Sequence, residues 1–168
     1  SGGEDVTGQA HDLVVFDGKG RAIVGVSGIG LFEPSAFGVK PVPWAAAVWR
    51  GYRATYAVDG ERLVLRRLVI GLNADQSAEA VPKRLFGREF AGSGCGPVVL
   101  DDLREPVDFT GGMVAGHEFI QGLRICPDCH PAWRWRTVHE LRFERGALRA
   151  AWDRSWQAAE ARARLLVR

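Results

Sequence analysis

Tyr56-Ala57-Val58-Asp59-Gly60-Glu61-Arg62-Leu63-Val64-Leu65 decides the fold class. Two runs rich in β-branched and aromatic residues flank an Asp-Gly pair, and Asp-Gly is a dipeptide that reverses a chain tightly enough to pair two antiparallel strands. The same grammar occurs upstream, where Leu13-Val14-Val15-Phe16 runs into Asp17-Gly18-Lys19-Gly20 and resumes at Ala22-Ile23-Val24. It returns at Leu141-Arg142-Phe143-Glu144-Arg145-Gly146-Ala147-Leu148-Arg149, where Leu141 and Phe143 share one side and Glu140, Arg142 and Glu144 the other. Three hairpins predict six strands. Their uneven spacing rules out a solenoid or propeller of fixed repeat.

Further strand candidates are residues 48–55, 68–72, 107–109 and 117–125, each bounded by Gly, Pro or Asp. Residues 39–43 hold two prolines and read as an extended connector. Residues 74–96 lack strand rhythm and have room for a short helix, while Gly25 to Gly30 read as a turn or bulge. The chain ends in an Ala-, Leu-, Glu- and Arg-rich stretch after Asp153 and Ser155, either of which can cap a helix. On that helix Trp156, Ala159, Ala163 and Leu166 form one stripe, expected to pack on the sheet. The expectation is a mainly β (α+β) fold: an antiparallel sheet or flattened barrel built from hairpins, closed by one C-terminal helix over residues 153–168. All 168 residues fit one domain, with residues 1–12 as a loose polar arm.

Bulk composition narrows the function classes. A 46% hydrophobic and 25% charged chain carries enough apolar surface to fold. Its 22 basic and 20 acidic residues nearly cancel, so nucleic acid is not the default partner. The preference for Arg over Lys, with much Ala, Gly and Val, reads as the coding bias of a GC-rich bacterium. No run approaches the roughly 18–20 apolar residues of a spanning helix, and the first residues do not resemble a signal peptide, though a processed one would leave no trace. Three cysteines, Cys95, Cys126 and Cys129, are too few for a secreted disulfide framework, which points to the cytoplasm.

The most specific local motif is Cys126-Pro127-Asp128-Cys129-His130. Two thiolates separated by two residues can bend onto one zinc ion, with Cys95, His117, His130 or His139 completing a tetrahedral shell. Covalent haem attachment uses the same five-residue pattern, with Met113 conceivable opposite, but in exported helical proteins. Redox dithiol chemistry needs a helix N-terminus that Pro131 and the following residues do not offer, and plain thiols in a turn remain the simplest account. Cys95, set among glycines 92, 94 and 96, has no identifiable base beside it. His117 and Glu118, with Asp101, Asp102 and Asp108, suit acid–base work only if the fold gathers them.

Trp133-Arg134-Trp135-Arg136, read as a strand, sends both indoles to one face and both guanidiniums to the other. The pattern fits an inward aromatic pair under a solvated Arg face. It also fits a platform on which bases or sugars stack while Arg134 and Arg136 hold phosphate.

Trp49-Arg50-Gly51-Tyr52-Arg53-Ala54-Thr55-Tyr56, the Asp59-to-Leu65 hairpin, the Phe109-to-Gly116 stretch and residues 138–155 together resemble a group of small bacterial proteins. Some of that group look like immunity proteins of toxin systems. The resemblance implies a stand-alone cytosolic protein with no assigned catalytic residues, and the Cys126-to-His130 motif departs from the apolar residues of the group. With no nucleophile–base pair and no phosphate loop evident, the expected function is non-catalytic binding of another protein. Zinc binding or metal-dependent catalysis at Cys126, Cys129, His130 and Cys95 is the first alternative. Nucleic-acid or sugar binding at Trp133 and Trp135 is the second.

Overall fold

The computed structural model describes residues 10–72, 82–90, 96–123 and 131–167. In chain order its strands are β1 (Leu13–Phe16), β2 (Lys19–Ile29), β3 (Tyr52–Asp59), β4 (Arg62–Ile70), β5 (Arg84–Leu85), β6 (Arg88–Glu89), β7 (Val98–Leu100), β8 (Glu105–Pro106), β9 (Thr110–Phe119), β10 (Trp135–Glu144) and β11 (Ala147–Asp153). One helix, α1 (Ser155–Leu166), follows. The fold is mainly β, as the hairpin grammar predicts.

All three expected hairpins form, β1–β2, β3–β4 and β10–β11. Each closes through two residues of positive φ: Asp17 (53°) and Gly18 (70°), Gly60 (52°) and Glu61 (65°), Arg145 (48°) and Gly146 (79°). Turns of this hand match the twist of the strands they join. In the middle hairpin the central pair is Gly60-Glu61, one residue later than the Asp-Gly pair, because Asp59 already pairs with Arg62.

The main sheet runs β11-β10-β9-β2-β1-β3-β4-β7, with β8 also on β4. It is mixed, because β1 and β3 pair in parallel. A parallel pair needs a long crossover, here residues 17–51, which take in β2 and a 3-10 turn at Pro34–Phe37. The sheet curls until β11 touches β4 at one bridge, Ala147 to Arg62, and stops short of a closed barrel. The outer edge of β4 is otherwise covered by the chain itself: β7 pairs with residues 68–70, Leu103 N–H donates to Arg66 O at 2.7 Å, and β8 pairs with residues 64–65.

Strand alternation sends Val14, Tyr56, Leu63, Leu65, Met113 and Leu141 into the curl, where each is at most 1% exposed. Burying side chains of this size stabilises by about 1.5–3 kcal/mol each. Val107 and Phe109, expected as a strand, join the core from irregular backbone, and the strand begins at Thr110. Similarly, the expected strand 48–55 begins only at Tyr52, and the expected strand from His117 is the end of β9, which stops at Phe119. The stretch Gly25 to Gly30 lies mostly within β2, with a bulge between Ile23 and Gly25. Gly28 and Gly111 face each other across β2 and β9, so closely that a Cβ on either would collide with backbone.

The chain is anchored earlier than the loose-arm expectation allows. Ala10 N–H donates to Ala47 O at 2.6 Å, and the Asp12 carboxylate pairs with Arg50 and accepts the Ala54 N–H at 2.9 Å. Helix α1 packs on β10 through a different stripe from the one expected. Ala158 is buried, whereas Trp156 is 71% and Leu166 67% exposed. Polar ties set that rotation: Ser155 Oγ accepts Val138 N–H at 3.0 Å, and Arg162 Nη1 donates to Trp133 O at 3.1 Å. Among the described residues no helix is long and apolar enough to cross a membrane.

Candidate functional site

The inner face of the curl is apolar over most of its length and polar at one end. Val14 pairs with Arg21, and Ile23, two residues on, pairs with Ala115, which in turn pairs with His139. Directly paired residues share a face, so Arg21 and His139 project from the same side as Val14 and Ile23. Arg21 is only 3% exposed. Its Nε–H donates to Phe16 O at 3.2 Å, its Nη1 donates to His139 Nδ1 at 3.2 Å, and its guanidinium carbon lies 5.7 Å from the Phe16 ring centroid. The Phe16 ring meets the His139 ring edge-on at 5.6 Å.

Because the guanidinium can only donate, His139 Nδ1 is an acceptor and the neutral ring carries its proton on Nε2. Burial, reinforced by Arg21, pushes His139 below the usual histidine range, while Asp153 and Asp17 pull against that. Asp153 itself is held below the usual carboxylate range by its hydrogen bonds to Ser155. Among the described residues no carboxylate lies within ion-pair distance of Arg21.

Beside this polar end, β11 beyond Ala147 has no strand partner on its outer side among the described residues. Arg154 N–H donates to Val138 O at 2.8 Å, so by alternation Trp152 turns its backbone groups toward β10, and Ala151 and Asp153 turn theirs outward. β4 pairs with β11 only at Ala147. Trp152, within that stretch, and Trp156, on the first turn of α1, are exposed, and the Arg154 guanidinium lies 5.4 Å from the Trp152 ring centroid while its Nε bonds Glu140 at 3.0 Å.

Trp133 and Arg134 stand on a 3-10 turn, Ala132–Arg134, and the strand starts only at Trp135. The regular alternation expected of Trp133 to Arg136 is therefore absent. Trp135 packs edge-on against Phe119 at 5.2 Å and His11 at 6.0 Å, and its indole occupies the space over Gly116. Arg134 is buried with its guanidinium 4.8 Å from the Phe119 centroid and Nη2 donating to Leu123 O at 3.2 Å. Arg136 is exposed and pairs with Glu118 at 3.0 Å. Arg134 and Trp135 thus meet at Phe119, while Arg136 turns to Glu118.

Cys95, Cys126, Cys129 and His130 lie outside the described residues. His117 and His139 lie on neighbouring strands, but each ring is oriented by its own bond, His117 Nδ1 to Gly20 O at 3.2 Å and His139 Nδ1 to Arg21. Among the described residues no three His, Cys, Asp or Glu side chains cluster to hold a metal. An open cleft of about 470 Å³ between β4 and residues 102–104 is lined by Asp59, Arg66, Asp102 and Arg104, whose charges cancel.

Sequence reasoning passed over Arg21, yet one signal was there: a charged residue at the same strand parity as Ile23 and two positions before it. Trp156 belongs to the stripe expected to face the sheet, and its exposure follows from the rotation of α1. The chain matches no protein-family model, no curated protein and no solved structure.

Proposed function

We propose that this chain is a non-catalytic protein-binding domain of the accessory or immunity type, and that its partner docks an extended segment along β11. The observation that carries the reading is the β11 edge at Ala151 and Asp153, without a strand partner among the described residues, together with exposed Trp152 and Trp156. An uncovered strand edge offers a row of backbone donors and acceptors to a second chain. Exposed tryptophans beside it supply the large apolar contact on which most interface energy concentrates. The contrast with β4, whose edge the chain covers along its length, supports a retained use for β11. A cytoplasmic setting belongs to the same reading and is supported by the cysteine count.

The test places a photo-crosslinking residue at the exposed position 149 of β11 in the wild-type, Ala151→Pro and Trp152→Ser backgrounds and compares what each captures from the native host. Proline removes an outward N–H and leaves the bonds to β10 in place, so both variants should fold and both should lose the partner. A partner retained by both variants would overturn the edge, and self-association through β11 in gel filtration would replace the foreign partner with a second copy. A second reading, zinc at Cys126, Cys129 and His130, is supported only by their spacing. Stoichiometric zinc in elemental analysis would establish it, and no metal after gentle purification would remove it.

A further inference from the structure

Two arginines reach buried or partly buried positions on either side of β1, and they are treated differently. Arg50 is supplied with a carboxylate, Asp12, and its guanidinium lies 4.0 Å from the Tyr52 ring centroid. Arg21, more deeply buried, receives only a backbone carbonyl and a neutral imidazole nitrogen. Asp153 acts on Arg21 from a distance and makes no ion pair with it, and a guanidinium largely removed from water without a carboxylate in contact is unfavourable. The residues around Arg21 spend its Nε and one Nη1 donor, which leaves the Nη2 end of the fork. His139, accepting at Nδ1, holds an Nε2–H donor on the same inner face.

We propose that Arg21 and His139 form a binding site for a carboxylate, entering at the open end of the curl past the exposed Asp17, Lys19 and Asp153. A planar fork recognises carboxylate and phosphate alike. The rim decides between them. Asp17 and Asp153 add negative charge at the entrance, which repels a phosphate dianion more than a singly charged carboxylate. The proposal stands independently of the β11 reading, since it needs no second protein chain.

The experiment follows the Arg21 Nε–H and the His139 ring by NMR in the full chain during titration with sodium acetate. Sodium chloride at matched ionic strength and inorganic phosphate form the other two arms. Acetate should shift both residues saturably in the millimolar range, chloride should leave them in place, and phosphate should bind more weakly than acetate. Signals unmoved by acetate and phosphate would overturn the site, and tighter binding of phosphate would overturn the carboxylate assignment. Arg21→Gln should abolish the saturable response of His139, whereas Arg154→Gln, on the opposite side of β11, should keep it. If Arg21→Gln fails to fold, the wild-type titration still decides the matter.

Discussion

Arg21 of β2 reaches over β9 to His139 of β10, its Nη1 donating to the ring Nδ1 at 3.2 Å. The bond exists only while the imidazole is neutral, which couples the inner face to pH.

Acidification should weaken the fold through His139. In the unfolded chain the ring takes its proton near 6.5, whereas burial and Arg21 lower that value in the native state. The unfolded state therefore binds the proton first as pH falls, and stability drops from about pH 6.5 until the native ring also titrates. Asp12 works in the opposite direction. Burial raises its carboxyl above 3.8 against the pull of Arg50, so the native state binds the extra proton and stability falls as pH rises through that window. Urea titrations of wild type and His139→Gln across pH 4–8 separate the two effects. The difference between them should shrink toward low pH, and a pH-independent difference would be the wrong outcome.

Tyr56→Phe should cost about 1–3 kcal/mol, the penalty of a buried donor left without its acceptor. The phenol oxygen accepts the Phe32 N–H at 3.0 Å, both residues are buried, and burial holds the hydroxyl well above the usual tyrosine range and thus protonated. Denaturant midpoints of the two proteins, at equal slope, provide the measurement.

The hairpins could be read directly because two independent signals coincide in them: strand alternation, and Gly at a position of positive φ. β9 resisted the same reading. Gly111, Gly112 and Gly116 dilute its apolar rhythm, and the reason they are glycine lies in neighbours distant in sequence, the β2 backbone at Gly28 and the Trp135 indole. The parallel pairing of β1 with β3 depends on a crossover whose path no local pattern encodes. Trp133 to Arg136 misled because Pro131 starts a 3-10 turn where alternation predicted strand. Of the candidate site, the histidines were visible as residue types, but Arg21 gains its meaning only from being buried.

Asp12→Ala should destabilise by about 1–3 kcal/mol, since it removes the carboxylate beside a partly buried Arg50 and the acceptor of the Ala54 N–H. Glu160→Gln, which breaks the exposed pair with Arg164 on α1, should change stability by less than about 0.5 kcal/mol. Equal effects in chemical denaturation would show that the Asp12 clamp does not hold the start of β1 to β3.

Gly116 and Trp135 make the sharpest packing test, because the indole fills the space where a Cβ at position 116 would stand. Gly116→Ala should destabilise by about 1–3 kcal/mol through overpacking. In a Trp135→Ala background the same change should be far better tolerated, since the colliding ring is gone from its Cγ outward. A double-mutant cycle should therefore give a coupling of about 1 kcal/mol or more. Additive effects would mean that the strain at Gly116 comes from the β9 backbone itself, in which case Trp135 would be released from its structural duty and a stacking role for it would become the better account.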